Sequence, residues 1–204
     1  DDYPQMLKEI YAPPICLYIK GNLQLLKMQN ISLIGCRKCS QYGKKTAYYF
    51  SYNLSKAGFN IVSGLARGID SYSHIGCLAA KGKTIAVMGS GLDNIYPKEN
   101  EQLVNEIIKQ NGAIITQYPL GTKPEKNNFP ARNRIISGLS KAVLVIEARA
   151  KSGTLITVDF ALEQGKDVFA VPGNINSANS VGTNELIKQG AIPVCNYKDI
   201  LDNI

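Results

Sequence analysis

The sequence predicts a doubly wound α/β protein, a mostly parallel sheet with helices on both faces, and three observations carry the prediction. A helical-period segment stops at a glycine and a short β-branched run follows, five times over. The joints are Gly58 before residues 59–62, Gly82 before 84–87, Gly112 before 113–116, Gly165 before 167–171 and Gly190 before 191–194. Two further apolar runs, 31–34 and 142–146, are continuous rather than alternating, as parallel strands covered on both faces require. Ahead of the first joint Ala47, Phe50, Leu54 and Ala57 recur at three- and four-residue steps, and Leu103, Val104, Ile107 and Ile108 do so ahead of the third, the pattern of helices packed by one face on a sheet.

Taken in order, residues 1–30, with Pro4, Pro13 and Pro14, read as a lead-in packed on the core with one short strand at 15–19. Residues 31–204 then form the main α/β domain. The stretch 117–130 is polar, proline-bearing and longer than an ordinary connection, and such loops tend to carry function. With 45% hydrophobic and 19% charged residues the chain is an ordinary globular one, neither disordered nor repetitive. It opens without a charged-then-apolar leader and holds no apolar run near the ~20 residues that span a bilayer, so the expectation is a soluble, cytoplasmic protein without a membrane partner. Five cysteines, an odd count in a chain large enough not to need a disulfide framework, fit free thiols in a reducing compartment.

The net charge of +7 is concentrated. Between Glu9 and Asp70 there is no acidic residue, while Lys20, Lys27, Arg37, Lys38, Lys44, Lys45, Lys56 and Arg67 fall in that interval. A second basic stretch contains Lys123, Lys126, Arg132, Arg134, Lys141, Arg149 and Lys151, opposed only by Glu125 and Glu147. On charge alone these are either two solvated basic faces or a polyanion site.

In an open sheet the strand ends converge on a crevice, where helix N-termini present backbone N–H groups to anions. The turns at those ends are rich in small residues and cations: Gly35-Cys36-Arg37, Ser63-Gly64-Leu65-Ala66-Arg67-Gly68, Gly89-Ser90-Gly91 and Lys151-Ser152-Gly153-Thr154. Glycine lets a phosphate approach the backbone, and arginine clamps it with two parallel hydrogen bonds. A tight turn needs glycine anyway, but four such turns on one edge, three with cations beside them, favour an anion site. The segment Lys126-Asn127-Asn128-Phe129-Pro130-Ala131-Arg132-Asn133-Arg134 adds cations, amide donors and an aromatic ring in one turn, the combination that holds a flexible single strand by its phosphates and an unstacked base. The candidate contacts are therefore Gly35, Arg37, Ser63, Gly64, Arg67, Gly89, Ser90, Gly91, Lys126, Phe129, Arg132, Asn133, Arg134, Lys151, Ser152 and Gly153.

Catalytic and metal motifs fit poorly. Gly89-Ser90-Gly91 begins a dinucleotide fingerprint without its third glycine, and Gly76 through Gly82-Lys83-Thr84 has one residue too many for a phosphate loop and runs from helix into strand. His74, the only histidine, has no evident nucleophile to serve. Cys36-x-x-Cys39 with His74-x-x-Cys77 has plausible zinc spacing, yet Cys36 falls in the anion turn, and His74 and Cys77 sit one helical turn apart among apolar neighbours, where a core role is commoner. The expectation is no catalytic residue, no metal and no cofactor.

Several blocks together resemble a known family: Ser63-Gly64-Leu65-Ala66-Arg67-Gly68-Ile69-Asp70 with His74, Gly91-Leu92-Asp93 with Tyr96-Pro97, Phe129-Pro130-x-Arg132-Asn133-Arg134-Ile135-Ile136-Ser137-Gly138-Leu139, Lys151-Ser152-Gly153-Thr154-Leu155-Ile156-Thr157, Glu163-Gln164-Gly165, Val171-Pro172-Gly173 and Gly182-Thr183-Asn184. In this order, over nearly the whole chain, they are similar to the signatures of DprA/Smf proteins. The resemblance implies an extended Rossmann-like fold without known catalysis that binds single-stranded DNA in a basic pocket, forms homodimers and loads RecA recombinase during natural transformation. Carried over by position, the pocket would use Gly35 and Arg37, Lys126, and Phe129 beside Arg132 and Arg134. Cys36 stands where the family usually has a small hydroxyl residue. Two other readings remain: a nucleotide-binding or nucleotide-hydrolysing enzyme of the related LOG type, whose Pro-Gly-Gly-x-Gly-Thr-x-x-Glu turn is missing after residues 142–146, and an interaction module whose basic face meets an acidic protein.

Overall fold

A computed structural model describes residues 3–204. Helices α1 (Gln5–Lys8), α2 (Gln41–Lys56), α3 (Ile69–Ala79), α4 (Glu101–Lys109), α5 (Asn128–Gly138), α6 (Gly153–Glu163), α7 (Val181–Lys188) and α8 (Lys198–Leu201) surround eight strands. The strands are β1 (Tyr18–Gly21), β2 (Asn30–Ile34), β3 (Asn60–Ser63), β4 (Thr84–Val87), β5 (Ala113–Thr116), β6 (Ala142–Val145), β7 (Asp167–Ala170) and β8 (Ile192–Pro193). They form one sheet in the order β1-β5-β4-β3-β2-β6-β7-β8, parallel throughout except that β1 runs antiparallel to β5, with Tyr18 opposite Thr116. The doubly wound Rossmann-like arrangement is therefore present. The lead-in strand lies about three residues later than its apolar residues suggest.

Strands β2 to β6 are buried along their whole length, and their side chains alternate between two cores. Ile34, Val62, Ile85, Val87, Val143 and Val145 face α5 and α6 with Ile135, Ile136 and Val158. Ile31, Leu33, Ile61 and Leu144 face Ala47, Phe50 and Leu54 of α2, and Ile69 and Cys77 of α3. A third cluster packs Val104 and Ile107 of α4 on Ala86 and Ile114.

The five helix-to-strand joints divide into two kinds. Gly58, Gly165 and Gly190 take a positive φ and turn the chain themselves. At the other two joints Lys81 and Asn111 hold the left-handed position one residue earlier. The glycine that follows is there for space: a Cβ on Gly112 would lie 2.6 Å from the Ile107 side chain and 2.7 Å from the Thr84 carbonyl oxygen.

The strand order places the site. From β2 the chain winds outward through β3, β4 and β5, returns to the other side at β6 and winds outward again through β7 and β8. The direction of winding reverses between β2 and β6, so the loops leaving their C-terminal ends diverge and open a crevice there. Among the described residues no helix is long and apolar enough to cross a membrane.

Candidate functional site

A cleft of about 670 Å³ opens at that reversal. Its walls are the loop after β2 (Gly35, Cys36, Arg37, Lys38), the segment from the loop after β6 into α6 (Arg149, Lys151, Ser152, Gly153, Thr154) and the N-terminal half of α5 with Lys126 before it. Phe129, Arg132, Asn133 and Ile136 recur at i, i+3, i+4 and i+7, so one stripe of α5 faces the cleft. Pro130 falls in the first turn of α5, where a missing N–H costs no helical hydrogen bond.

The β2 loop is locked in place. Gly35 passes so close to the neighbouring loop that a Cβ would meet Ile69 at 2.6 Å and the Glu147 carbonyl oxygen at 2.9 Å. Cys36 donates its N–H to that same carbonyl at 2.9 Å, and its own carbonyl accepts from Ile69 at the start of α3. Gly68, with φ +79°, lies against the Cys36 and Arg37 carbonyls, where any Cβ would clash at 2.3–2.5 Å. Arg37 thus projects from a backbone held on two sides, and its guanidinium sits 5.4 Å over the centre of the Phe129 ring. The ring rests on Gly89, is flanked by Tyr96 at 5.6 Å between centroids, and stays partly exposed. Arg37, Lys38, Lys126 and Lys151 are exposed, and among the described residues no carboxylate pairs with any of them. Arg149, also exposed, donates through Nε to Asn179 at 2.9 Å.

Behind the rim lies a buried charged floor. Arg132, 3% exposed, donates through Nη1 to the carbonyls of Gly64, at 2.8 Å, and Val87. Asp70 accepts from the Gly64 and Ala66 N–H groups at 3.1 and 3.3 Å. Burial pushes the Asp70 carboxyl up to about 6, opposed by the Arg132 charge and those two N–H groups. Burial also brings Arg132 down to about 10, against the pull of Asp70. Below them the Thr84 hydroxyl donates its single proton to the Ile61 carbonyl, so His74 Nδ1, 2.7 Å away, must be the donor to Thr84. His74 Nε2 is then a bare acceptor, buried without a partner among the described residues. Burial, reinforced by Arg132, pulls the His74 pKa to about 3.

Of the sequence-derived contacts, the structure brings Gly35, Arg37, Lys126, Phe129, Arg132, Asn133, Lys151, Ser152 and Gly153 to the cleft, with Arg132 facing it from the floor. The others do not line it, for identifiable reasons. The Ser63 hydroxyl donates to Leu33 and the Ser90 hydroxyl to Asn94. Gly64 is wrapped by Asp70 and Arg132, and Gly89 supports the Phe129 ring. Gly91 bonds to Thr122, and Asp93 accepts from Gly121, so that turn fastens the long loop. Arg67 pairs with Glu99 on the surface. Arg134 points away from the α5 stripe and donates to Ala12 at 2.8 Å and Gln117 at 2.6 Å.

The expectation of open helix N-termini also changes. The first N–H of α3 bonds to Cys36, and the start of α2 is capped by Ser40, whose hydroxyl oxygen accepts from Gly43 N–H at 3.0 Å while its own N–H and hydroxyl go to the Glu147 carboxylate, which also accepts from Asn179. At α6 the Ser152 hydroxyl accepts from Thr154 N–H at 3.2 Å, and Gly153 stays exposed at the cleft. Lys38, Arg149 and Tyr96 line the cleft as well; the first two lie in the basic stretches of the sequence, and Tyr96 in one of its signature blocks.

Fold and site together define a Rossmann-like module that presents a cationic, ring-bearing cleft at its topological reversal. The family described as DNA recombination-mediator protein A matches residues 1–204, and the chain belongs to that DprA/Smf family. It is 44% identical to the DNA processing protein DprA of Bacillus subtilis over 99% of this chain and 68% of that protein, and 44% identical to the protein Smf of Escherichia coli over 99% of this chain and 54% of that one. The chain thus spans about half to two thirds of these curated relatives. Among solved structures, that of DprA from Streptococcus pneumoniae superposes with a TM-score of 0.95 at 45% identity, covering 100% of this chain and 71% of that one. A structure of DprA from Helicobacter pylori, described for its single-stranded DNA binding mode, gives 0.91 at 32% identity over 99% and 92%.

Proposed function

We propose that the cleft holds single-stranded DNA without sequence preference and that the chain acts as a non-catalytic recombination mediator, presenting the strand to RecA recombinase as a cytoplasmic homodimer. The observation that carries this reading is Arg37 over Phe129: a fixed backbone holds the guanidinium against a half-exposed ring at the mouth of a cleft where, among the described residues, no exposed cation has a carboxylate partner. A phosphate takes the guanidinium and the lysines, while an unstacked base takes the ring. Gly35 and Gly153 allow close backbone approach and Asn133 offers an amide along the same wall, while the Ser152 hydroxyl is already given to Thr154. Membership of a recombination-mediator family and the likeness to the H. pylori protein support the same conclusion. The non-catalytic reading is supported by His74, whose proton is committed to Thr84 deep beneath the floor.

The test is fluorescence anisotropy with labelled oligothymidine across a salt series. The expected result is tight binding at low salt, with log K falling by about 0.7 per phosphate contact per decade of salt. Absence of binding at low salt overturns the reading.

A further inference from the structure

Helix α2 carries a second feature outside the cleft. Lys44, Tyr48, Tyr52 and Lys56 follow one another at i, i+4, i+8 and i+12, so they form a single stripe along the helix, with Tyr48 and Lys56 exposed and Lys44 and Tyr52 half-buried, about 18 Å from end to end at 1.5 Å per residue. Their side chains make a ladder of ring contacts in two groups. The Lys44 ammonium lies 5.5 Å over the ring of Tyr72 on the adjacent α3. Tyr48 and Tyr52 stack at 6.1 Å with 16° between their planes, and Lys56 closes the series 5.9 Å over Tyr52. Tyr48 is 39% exposed although it has apolar ring surface to bury. The helix itself contains no acidic residue, and none occurs anywhere between Glu9 and Asp70.

A solvated helix face has no use for this composition. Surface helices gain stability from opposite charges four residues apart, whereas this stripe pairs each cation with a ring. Flat rings flanked by cations with no compensating acid complement a chain that offers flat faces and regularly spaced negative charges. The stripe also begins a few residues along the chain from the cleft wall. Arg37 and Lys38 stand in the loop immediately before α2, and Tyr72, at the top of the ladder, lies one turn after Gly68, the residue packed against the Arg37 carbonyl.

We infer that the Lys44-Tyr48-Tyr52-Lys56 stripe of α2, with Tyr72, is a second contact track for single-stranded DNA, taking the strand after it leaves the cleft past Arg37 and Lys38. This rests on the cleft reading above. Bases stack on the tyrosine rings and phosphates meet the lysines, so the track adds length and salt dependence to binding but no sequence preference.

The experiment compares two oligothymidines, one of about 6 nucleotides that fills the cleft and one of about 20 that runs beyond it, the first inside the range of about 4–16 nucleotides usual for one single-strand site and the second longer than it. In the whole chain, Tyr48→Ala with Tyr52→Ala weakens the long oligonucleotide about thirtyfold and leaves the short one within about twofold, as two lost stacks at roughly 1 kcal/mol each require. Lys44→Gln with Lys56→Gln, which spares the rings, lowers the salt slope of the long oligonucleotide by about 1.4, or about 0.7 for each cation, and leaves that of the short one unchanged. Tyr48→Phe with Tyr52→Phe keeps long-strand affinity, since a ring and not a hydroxyl makes the contact. Long-strand affinity and slope equal to wild type in both the alanine and glutamine variants overturn the track; a face that served an acidic protein would give that result. Arg37→Ala is run beside them. Should it leave the short oligonucleotide untouched, the cleft reading fails on its own, while losses confined to the long oligonucleotide in the α2 variants still count for the track.

Discussion

The rim and the floor of the cleft use the same residue types for opposite ends. At the rim Arg37 stands exposed over Phe129 with its hydrogen-bonding capacity unspent. On the floor Arg132 is buried, its guanidinium given to the carbonyls of Gly64 and Val87, and Asp70 takes up the N–H groups of Gly64 and Ala66. The floor ties the ends of β3 and β4 to α5, and α5 carries Phe129. A charge is available to a ligand only where the fold has not already used it, so the floor's charges hold the geometry in which the rim's charges can act.

The largest effect should come from the floor. Arg132→Met strands two carbonyls and leaves Asp70 buried without its opposing charge, which costs about 3 kcal/mol or more and appears as a large fall in melting temperature. At the rim the melting temperature should hold while binding falls: Phe129→Ala loses about 1–3 kcal/mol of oligothymidine affinity, read by anisotropy. Arg37→Ala follows with a loss of about tenfold and a salt slope smaller by about 0.7. A rim substitution that melts the protein, or a floor substitution that does not, breaks the comparison.

Acid sharpens it. The His74 pKa of about 3 lies below its unfolded value near 6.5, so its contribution to stability is complete above pH 6.5 and is lost as pH falls toward 3. Asp70 works in the opposite sense: with a folded value near 6, above the ordinary 3.8, it favours the native state at low pH and gives up that contribution as pH rises from about 4 to 6. His74→Gln is therefore expected to move the acid unfolding midpoint to lower pH in a circular-dichroism titration. The smallest effect belongs to Arg67→Ala. Its guanidinium is already paired with Glu99 at the surface, so both oligothymidine affinity and melting temperature should stay at wild-type values.

The strands could be read from the chain because β2 and β6 are buried on both faces, and a short unbroken apolar run between turn residues suits a strand covered on both sides. The rim could be read for a related reason: Arg37, Lys126, Phe129 and Lys151 sit in loops or a first helical turn at strand ends, where sequence position and exposure coincide. The division of labour within α5 could not. Arg132 and Arg134 are two residues apart and look equivalent in the chain, yet two residues rotate a helix by about 200°, which sends one into the floor and the other toward Ala12. Glu147 was equally opaque. Its carboxylate holds Ser40, the cap of α2, and Asn179, roles that depend on segments more than 30 residues away in sequence coming together.

The central claim is that the strand lies across the β2/β6 reversal with a base on Phe129 and a phosphate on Arg37. A crystal of this chain with short oligothymidine tests it most directly. The expected density shows one base stacked on the Phe129 ring and phosphate oxygens within hydrogen-bonding distance of Arg37 and of Lys126 or Lys151. Density for the strand along the Arg67 and Glu99 surface or beside Arg134, with the cleft unfilled, would contradict it.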